Sequence, residues 1–414
     1  MPSRGTATRI AFAVVAASVL LAGCGGRGST GSTSGSGSDA PGITGDTITI
    51  GSSYPLSGPL GANGIAAKGA AVAYFDSVNA AGGVKMADGK TRKIKFVFYD
   101  DGYDPAKAVQ NYGKLVDSDH VFALFQTFGT APNLAIMKKA NADKVPQVFV
   151  HAGDALFSMD RAANPWTMGW QPTYESEGVA YGKSLAAQNK PMTVAVLRQA
   201  DTLGEVFLKG IQEGIAGSKV TIAKVATYTP KDPTVDSQIS TLAATKADAL
   251  FMAVAIPPLM ISGINHAATL GWKPTVFMAS MSSSISQVVE PGHLGSYPNL
   301  FTASFVKAPD DPQWANDQAV ADLKSQMQKS SPDANPNITN AQWGYGAATS
   351  LVDALKGMKT VSRQGLMDAI HALKSDGGGI LLPGITMDGS DSQSTPLHGI
   401  KVERFTNGSW QIQK

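Results

Sequence analysis

Cysteine is almost absent from this chain of 414 residues, because Cys24 is the only one. A single cysteine excludes an intramolecular disulfide, and a chain of this length can bury enough apolar surface without one. The six histidines lack the spacing of metal ligands, and no Gly-x-Ser-x-Gly motif marks a nucleophilic serine. The sequence therefore gives no support to a disulfide-rich domain, a metal site or a serine hydrolase, and we expect no cofactor.

Long hydrophobic runs are also missing, apart from residues 10–20 near the start of the chain. This run follows Arg4 and Arg9 and falls short of the ~20 apolar residues that cross a bilayer, so it is typical of a secretory signal peptide. It ends in Leu21–Cys24, which resembles a bacterial lipobox, where the cysteine receives a lipid and the chain is cut before it. We predict a signal peptide over 1–23 and a lipidated Cys24. The alternative is a cleaved signal peptide with an incidental cysteine.

The segment after Cys24 is poor in apolar residues. Residues 24–43 consist mostly of glycine, serine and threonine, a composition that behaves as a flexible linker. Two or three acyl chains on Cys24 would hold the protein at a membrane without a transmembrane helix, since each buried CH₂ contributes about 0.8 kcal/mol. We therefore expect a globular body that is tethered to membrane lipid outside the cytoplasm.

Net charge is the next feature that the chain lacks. Loss of Arg4 and Arg9 with the signal peptide leaves 32 basic residues against 32 acidic ones. A protein without a basic surplus has no electrostatic footprint for nucleic acid. Nucleic acid is accordingly excluded as a partner.

The body of the chain alternates short β-branched runs with segments of helical periodicity. Residues 93–99 predict a strand, and Asp104 with Pro105 then predicts a helix whose first residues are an Asp cap and a proline. About ten such strands precede residue 300, which suits two sheets better than one wide sheet. The predicted fold class is α/β, with two doubly wound parallel-sheet lobes.

Ligands of open parallel sheets bind beyond the carboxyl ends of the strands, so function is expected in the loops there. One such loop spans residues 53–64, and another is Thr127–Asn133. The second has a glycine, two threonine hydroxyls and the free amides of a helix start, which suit a carboxylate. Its alternative interpretation is a threonine that only caps the helix.

Five segments occur in an order and spacing typical of one protein family. They are PLSGP at 55–59, NAAGGV at 79–84, YDD at 99–101 followed by Asp104-Pro105, GWQP at 169–172 and LGWKP at 270–274. Together they make the chain similar to the type I periplasmic binding proteins, in the leucine/isoleucine/valine-binding branch that serves ABC importers. The resemblance covers essentially all of the mature chain.

The resemblance implies a three-segment hinge between the lobes and a ligand site in the cleft. Lobe 1 would combine 44–166 with 301–378, and lobe 2 would combine 167–300 with 379–414. Lobe 1 would supply the residues that hold a ligand carboxylate and line the first wall: Tyr54, Asn63, Thr127, Phe128, Gly129, Thr130, Ala152, Gly153 and Asp154. Lobe 2 would supply Gln171, Tyr174, Asp201, Leu203 and Ala255. The implied partners are a small molecule and an ABC permease at the outer face of the bacterial cytoplasmic membrane.

One departure from the family bears on the ligand. Relatives that bind amino acids usually have an acid after the second-lobe strand, whereas this chain has AVAIPP at 253–258. Asp154 could replace that acid as the partner of a ligand ammonium. If Asp154 lies outside the cleft, a buried ammonium would cost several kcal/mol, and an aromatic or aliphatic acid or an amide is favoured instead of an amino acid.

Other interpretations follow from the same residues. The binding cleft could serve an accessory lipoprotein that signals to a receptor rather than a transporter. An enzyme is not favoured, because Ser304–Lys307 matches a serine-lysine pattern inside a predicted strand. We expect His151 to be solvated or to cap a loop, Trp170 to pack at the lobe junction more often than to contact ligand, and Asp100 with Asp101 to end a strand.

Overall fold

The structure, a computed structural model, describes residues 40–391 and 395–413. The predictions for the signal peptide, for Cys24 and for the linker up to residue 39 lie outside these residues. No helix within the described ranges combines the length and the apolar composition that a membrane crossing requires. The described part of the chain forms one compact unit built on two large sheets.

The first sheet has the strand order β2-β3-β1-β4-β5-β6 in the described residues. Its strands are β1 Thr47–Tyr54, β2 Val84–Lys85, β3 Thr91–Asp100, β4 Ala123–Phe125, β5 Gln147–Val150 and β6 Thr167–Gly169. All neighbours are parallel except the edge strand β2. We call this sheet and the helices packed on it the first lobe.

The second sheet has the strand order β16-β15-β11-β10-β9-β7-β8. Its strands are β7 Met192–Gln199, β8 Val220–Tyr228, β9 Ala249–Ala253, β10 Thr275–Met278, β11 Leu300–Ser304, β15 Lys401–Thr406 and β16 Ser409–Ile412. The first five are parallel, and β15 and β16 add antiparallel strands at one edge. This sheet and its helices form the second lobe.

The helices cover the sheets, and a small antiparallel sheet of β12 Lys374–Ser375, β13 Thr386–Asp388 and β14 Leu397–His398 completes the described fold. The α-helices are α1 Gly61–Ala80, α2 Pro105–Gly113, α3 Thr130–Ala142, α4 Tyr174–Ala186, α5 Thr202–Ile215, α6 Asp236–Ala243, α7 Pro257–Thr269, α8 Gln318–Ser330, α9 Thr339–Gly357 and α10 Arg363–His371. Helices α8 and α9 pack on α1, and α4 packs on α5. The two parallel-dominated sheets confirm the predicted α/β fold class.

The chain passes between the two sheets three times, after β6, after β11 and before β15. Two of the connecting segments pair with each other, because Val306 and Leu381 form an antiparallel bridge. The amide of Lys307 also donates to the carbonyl of Ile380 at 2.8 Å. Backbone hydrogen bonds therefore tie two of the three segments of the hinge together.

Strand pairing differs from the predicted division into lobes at three places. β6 was expected to begin lobe 2 at residue 167, but it pairs with β5 in the first sheet. β11 was expected to leave lobe 2 at residue 300, but it stays in the second sheet through Ser304. β13 was assigned to lobe 2 but pairs with β12, next to the first-lobe helix α10.

Local sequence signals account for several element ends. Asp104 caps α2 as expected, with its carboxylate accepting from the amides of Ala106 at 2.8 Å and Lys107 at 3.3 Å. Asp100 and Asp101 end β3 and hold loops, since Asp100 accepts from Ser57 and Asp101 from Ser53. The serine-lysine match lies where predicted, with Ser304 as the last residue of strand β11.

We expect Asp104→Ala to lower the free energy of unfolding by about 1 kcal/mol, because the first amides of α2 would lose their capping acceptor. Urea unfolding of the variant measures this loss. Asp104→Asn is the matched control, since asparagine caps nearly as well as aspartate. Equal destabilisation by the two substitutions would contradict the capping role.

Candidate functional site

A narrow cavity lies where the carboxyl ends of the two sets of parallel strands face each other. Its empty space, including the part that is open to solvent, is about 340 Å³. The lining residues of the first lobe are Leu60, Asn63, Tyr103, Phe128, Gly129, Thr130, His151, Asn340 and Trp343, and those of the second are Tyr174, Leu203, Ala255 and Met281. The site thus has the location that parallel α/β sheets favour.

Half of the predicted site residues line this cavity: Asn63, Phe128, Gly129, Thr130, Tyr174, Leu203 and Ala255. The other predicted residues do not line it: Tyr54, Thr127, Ala152, Gly153, Asp154, Gln171 and Asp201. Six lining residues were not predicted as ligand contacts: Leu60, Tyr103, His151, Met281, Asn340 and Trp343. The loops after the first-lobe strands were the most informative part of the sequence.

The start of α3 supplies hydrogen-bond donors at the cavity. Gly129 precedes the helix with φ +92° and ψ 149°, a conformation open almost only to glycine. Thr130 is the first helical residue, and its buried hydroxyl lies near the hydroxyl of the second-lobe residue Tyr174, whose pKa it lowers, without a hydrogen bond of standard geometry in the described part of the chain. Pro132 has no amide hydrogen, and the first amide of the helix that bonds back is that of Asn133, to the carbonyl of Gly129. This end of α3 can therefore donate to an oxygen of a ligand.

Several predicted residues are used to hold the site instead of lining it. The hydroxyl of Thr127 donates to Oδ1 of Asn133, and the side-chain Nδ2 of Asn133 donates to the carbonyl of Gly129 at 2.7 Å. Gly153 accepts at 2.8 Å from the amide of Tyr174. Asp201 caps α5 by accepting from the amide of Gly204 at 3.3 Å. These contacts fix the loops whose neighbours form the walls.

Asp154 is not among the residues that line the cavity. Its Oδ1 accepts from the amide of Leu156 at 2.9 Å, and its Oδ2 is buried without a partner among the described residues. Burial raises the pKa of this carboxyl, which disfavours its charged form. The residues that line the cavity therefore include no acid that could pair with the ammonium group of an amino acid.

Tyr103 crosses the cleft from the first lobe. It follows β3 with φ +66°, and its ring lies against Gly129, where an added Cβ would come within 2.3 Å of the ring. Burial raises the pKa of Tyr103, and the second-lobe residues Asp201, Tyr174 and Gln199 also act on it. Tyr103 is therefore a contact between the lobes in this closed arrangement.

His151 is buried in the cavity wall, so the expected solvated or capping role is wrong. It is 3% exposed and stacks on Phe128 with 4.4 Å between ring centroids. Its Nδ1 is 2.6 Å from Oε1 of Gln126, and its Nε2 is 2.9 Å from Nδ2 of Asn340. Burial lowers the pKa of His151 to about 3, so the ring is neutral at neutral pH.

An aromatic stack runs from the cavity to the hinge. Beyond His151, Trp343 lies 5.3 Å from the imidazole and stacks on Phe305 at 5.3 Å. Phe305 follows β11 and packs edge-on against Trp170 at 5.8 Å. Trp170 does not line the cavity, since it is buried and its indole donates to Ser350 at 3.1 Å. Trp170 therefore has the packing role that the sequence favoured.

The wall of the cavity carries no formal charge. The residues that line it include no aspartate, glutamate, lysine or arginine, and its one histidine is neutral. The described residues also contain no cluster of histidine, cysteine, aspartate or glutamate that could hold a metal ion. The residues that line the cavity can hydrogen-bond to a small molecule and surround it.

A family model described as periplasmic binding protein matches residues 47–402. The chain belongs to the type I periplasmic binding protein family. This is a family of extracytoplasmic solute-binding proteins, which are not enzymes. The resemblance expected from the sequence is thus confirmed over nearly all of the described chain.

Individual relatives of this periplasmic binding protein are distant. The chain is 25% identical over 186 residues to the leucine-, isoleucine-, valine-, threonine- and alanine-binding protein of Pseudomonas aeruginosa. That match spans 43% of this chain and 46% of the relative, so just under half of the relative's length is covered.

Solved structures share the fold at low sequence identity. A fatty acid ABC transporter substrate-binding protein from Thermomonospora curvata has a TM-score of 0.77 at 22% identity, covering 91% of this chain and 93% of its own. An R. palustris solute-binding protein of an ABC transporter, solved with benzoate, has a TM-score of 0.71 at 18% identity, covering 88% and 95%. At these low identities the two structures show that this chain shares their fold.

Proposed function

We propose that this protein is the substrate-binding component of an ABC importer and that it encloses one small, mainly apolar ligand between its lobes. The ligand would carry an oxygen acceptor, from a carboxylate or a carbonyl group, that faces the start of α3. The observation that carries this proposal is the cavity at the strand ends, which residues of both lobes and the start of α3 line together. The closed lobes would then be the form that a membrane permease recognises.

The uncharged wall supports an acid or an amide over an amino acid. Ala255 occupies the position where an acid was expected, and it is 6% exposed. With Asp154 outside the lining, a ligand ammonium would be buried without a charged partner. Phe128, Tyr174 and Leu203 supply the apolar contacts that a hydrocarbon group needs.

A thermal-shift panel tests this proposal. Short aliphatic and aromatic acids, their amides and the matching amino acids are added to the purified protein. A ligand at 100 times its dissociation constant should raise the free energy of unfolding by about 2.7 kcal/mol. Stabilisation by acids or amides supports the proposal, whereas stabilisation by amino acids alone overturns its ligand class.

Thr130→Val tests the role of the threonine hydroxyl in the same assay. Valine keeps the size and β-branching of threonine, so the variant should fold and should bind the stabilising ligand about tenfold more weakly, because one hydrogen bond is lost. Thr269→Val at the end of α7 is the matched control, since Thr269 is exposed and does not line the cavity. Unchanged affinity of Thr130→Val would remove Thr130 from the site.

The lipid anchor is a separate part of the proposal. Attachment through Cys24 would keep the binding protein at high local concentration beside its permease. We expect Cys24→Ala to move the protein from the membrane fraction to the soluble extracytoplasmic fraction while ligand affinity stays unchanged. Cell fractionation and a thermal shift of the purified variant measure the two results. Retention in the membrane fraction would contradict lipidation at Cys24.

A further inference from the structure

Two buried polar atoms on helix α9 have no partner in the described part of the chain. They are Oδ1 of Asn340 and Nε1 of Trp343. Asn340 is 1% exposed and Trp343 is 2% exposed, and both residues line the cavity. Residues three apart lie on one face of a helix, so Asn340 and Trp343 form one stretch of the cavity wall. We call this stretch the α9 wall. A buried polar atom without a partner is costly unless a ligand or water satisfies it.

A chain of hydrogen bonds fixes which atom of the Asn340 side chain is left over. The carbonyl of Phe149 can only accept, so Gln126 points its Nε2 at that oxygen, 2.9 Å away. The Oε1 of Gln126 must then face His151, and an amide oxygen can only accept. His151 therefore carries its proton on Nδ1.

The same reasoning continues to Asn340. With the proton on Nδ1, Nε2 of the neutral His151 is an acceptor, and Asn340 must turn its Nδ2 toward it, at 2.9 Å. This leaves Oδ1 as the free end of the side chain. The backbone carbonyl of Phe149 thus determines, through Gln126 and His151, that Oδ1 of Asn340 is left as an acceptor without a partner, beside the second N–H of its Nδ2.

We propose that the α9 wall recognises a neutral carboxamide, with Asn340 Oδ1 accepting its N–H and Trp343 Nε1 donating to an oxygen. This inference rests on the proposed function of the cavity and narrows the chemical class of its ligand. A carboxylate in the same place could accept from Trp343 Nε1 but would set a charged acceptor against Oδ1 of Asn340, which leaves Oδ1 unsatisfied. An ammonium would satisfy Oδ1 but would lack an acidic partner in the lining.

Three compounds with one carbon skeleton separate these cases. Isovaleramide, isovalerate and valine are titrated into the purified protein by calorimetry. We expect isovaleramide to bind at least tenfold more tightly than isovalerate, because only the amide can donate to Oδ1, and valine to bind more weakly still. Equal or tighter binding of isovalerate or of valine would overturn the inference.

Substitutions on α9 test whether Asn340 and Trp343 cause the preference for the amide over the acid. Asn340→Leu should remove the preference for the amide over the acid, and Trp343→Phe should weaken isovaleramide about tenfold while the ring stack is kept. Ser350→Ala is the control, because it removes a hydrogen bond of α9 to Trp170 away from the cavity. An unchanged amide preference in Asn340→Leu would contradict the role of Asn340.

Nitrogen NMR of His151 tests the hydrogen-bond chain without any ligand. The ¹⁵N shifts of the ring, assigned with His151→Gln, should show a protonated Nδ1 and a bare Nε2 at neutral pH. A protonated Nε2 would mean that Asn340 turns its oxygen toward His151, and the inference would fail. If none of the three compounds binds, the proposed ligand class of the cavity fails, while the NMR result still decides what Asn340 presents.

Discussion

Gly129→Ala should abolish detectable ligand binding and lower the free energy of unfolding by about 3 kcal/mol. Alanine is strained at φ +92°, and its Cβ would lie 2.3 Å from Cε2 and 3.0 Å from Cδ2 of Tyr103. Relief of this overlap must move either the Tyr103 ring or the start of α3. Either movement displaces groups that line the cavity, so binding is lost together with stability. Calorimetric titration and urea unfolding measure the two effects.

Gly82→Ala is the matched control for backbone strain. Gly82 has φ +110°, and a Cβ added there meets no atom within 4 Å. This variant should therefore lose about 1 to 2 kcal/mol of stability and keep its ligand affinity. If Gly82→Ala also lost binding, general strain and not the contact with Tyr103 would explain the effect at Gly129.

A buried carboxyl should make the protein less stable as the pH rises above about 6.5, where the opposing effect of the neutral His151 is already complete. Glu403 on β15 is 4% exposed, and burial together with the neighbouring carboxylate of Asp311 raises its pKa to about 8. The unfolded chain releases this proton near pH 4.5, so between about pH 4.5 and 8 the folded state binds the extra proton. Stability from this group is complete below pH 4.5 and is lost as the pH rises to about 8, by ~2 to 4 kcal/mol.

Asp311, the carboxylate beside Glu403, is itself held by hydrogen bonds. Its two oxygens accept from the hydroxyl of Ser409 at 2.6 Å and the amide of Trp410 at 2.8 Å, and also from Gln313. Glu177 adds to the trend with the same sign, since burial raises its pKa to about 7. Its window runs from about pH 4.5 to 7.

Urea unfolding at several pH values between 6.5 and 8.5 measures this dependence, because below about pH 6.5 the buried neutral His151 changes the stability with the opposite sign. Glu403→Gln should flatten it, leaving only the smaller part from Glu177. Glu205→Gln is the control, because Glu205 is exposed on α5. A wild-type stability that rises over this range, or a Glu403→Gln variant that retains the full slope, would contradict the assignment.

The fold could be predicted because its signals are local. The cap at Asp104, the proline after it and the runs of β-branched residues each act within a few positions of the chain. The loop from Phe128 to Thr130 was found by the same logic, since it directly follows a strand of a parallel sheet. The lobe boundaries came from the resemblance and stay a prediction, and strand pairing adds that β6 lies beside β5 and β13 beside β12.

The α9 wall could not be found in this way. Asn340 meets His151 across 189 positions of the chain. The buried residues of α9 around Asn340 and Trp343 have the helical spacing of an ordinary core face. Nothing in the local sequence distinguishes a residue that contacts ligand from one that only packs. The resemblance placed Asp154 at the ligand, and in the structure one of its oxygens accepts from the amide of Leu156 in its own loop, so its contact with a ligand stays a prediction.

The aromatic stack makes the intrinsic tryptophan fluorescence of this protein sensitive to the position of its lobes. Trp343 lies in the cavity wall, and Trp170 lies beside the hinge residue Phe305, which touches both indoles. Separation of the lobes would change the polarity around one tryptophan and the ring contacts of the other. The emission of the unlabelled protein can therefore follow opening and closing in real time, with Trp343→Phe and Trp170→Phe dividing the signal between the cleft and the hinge.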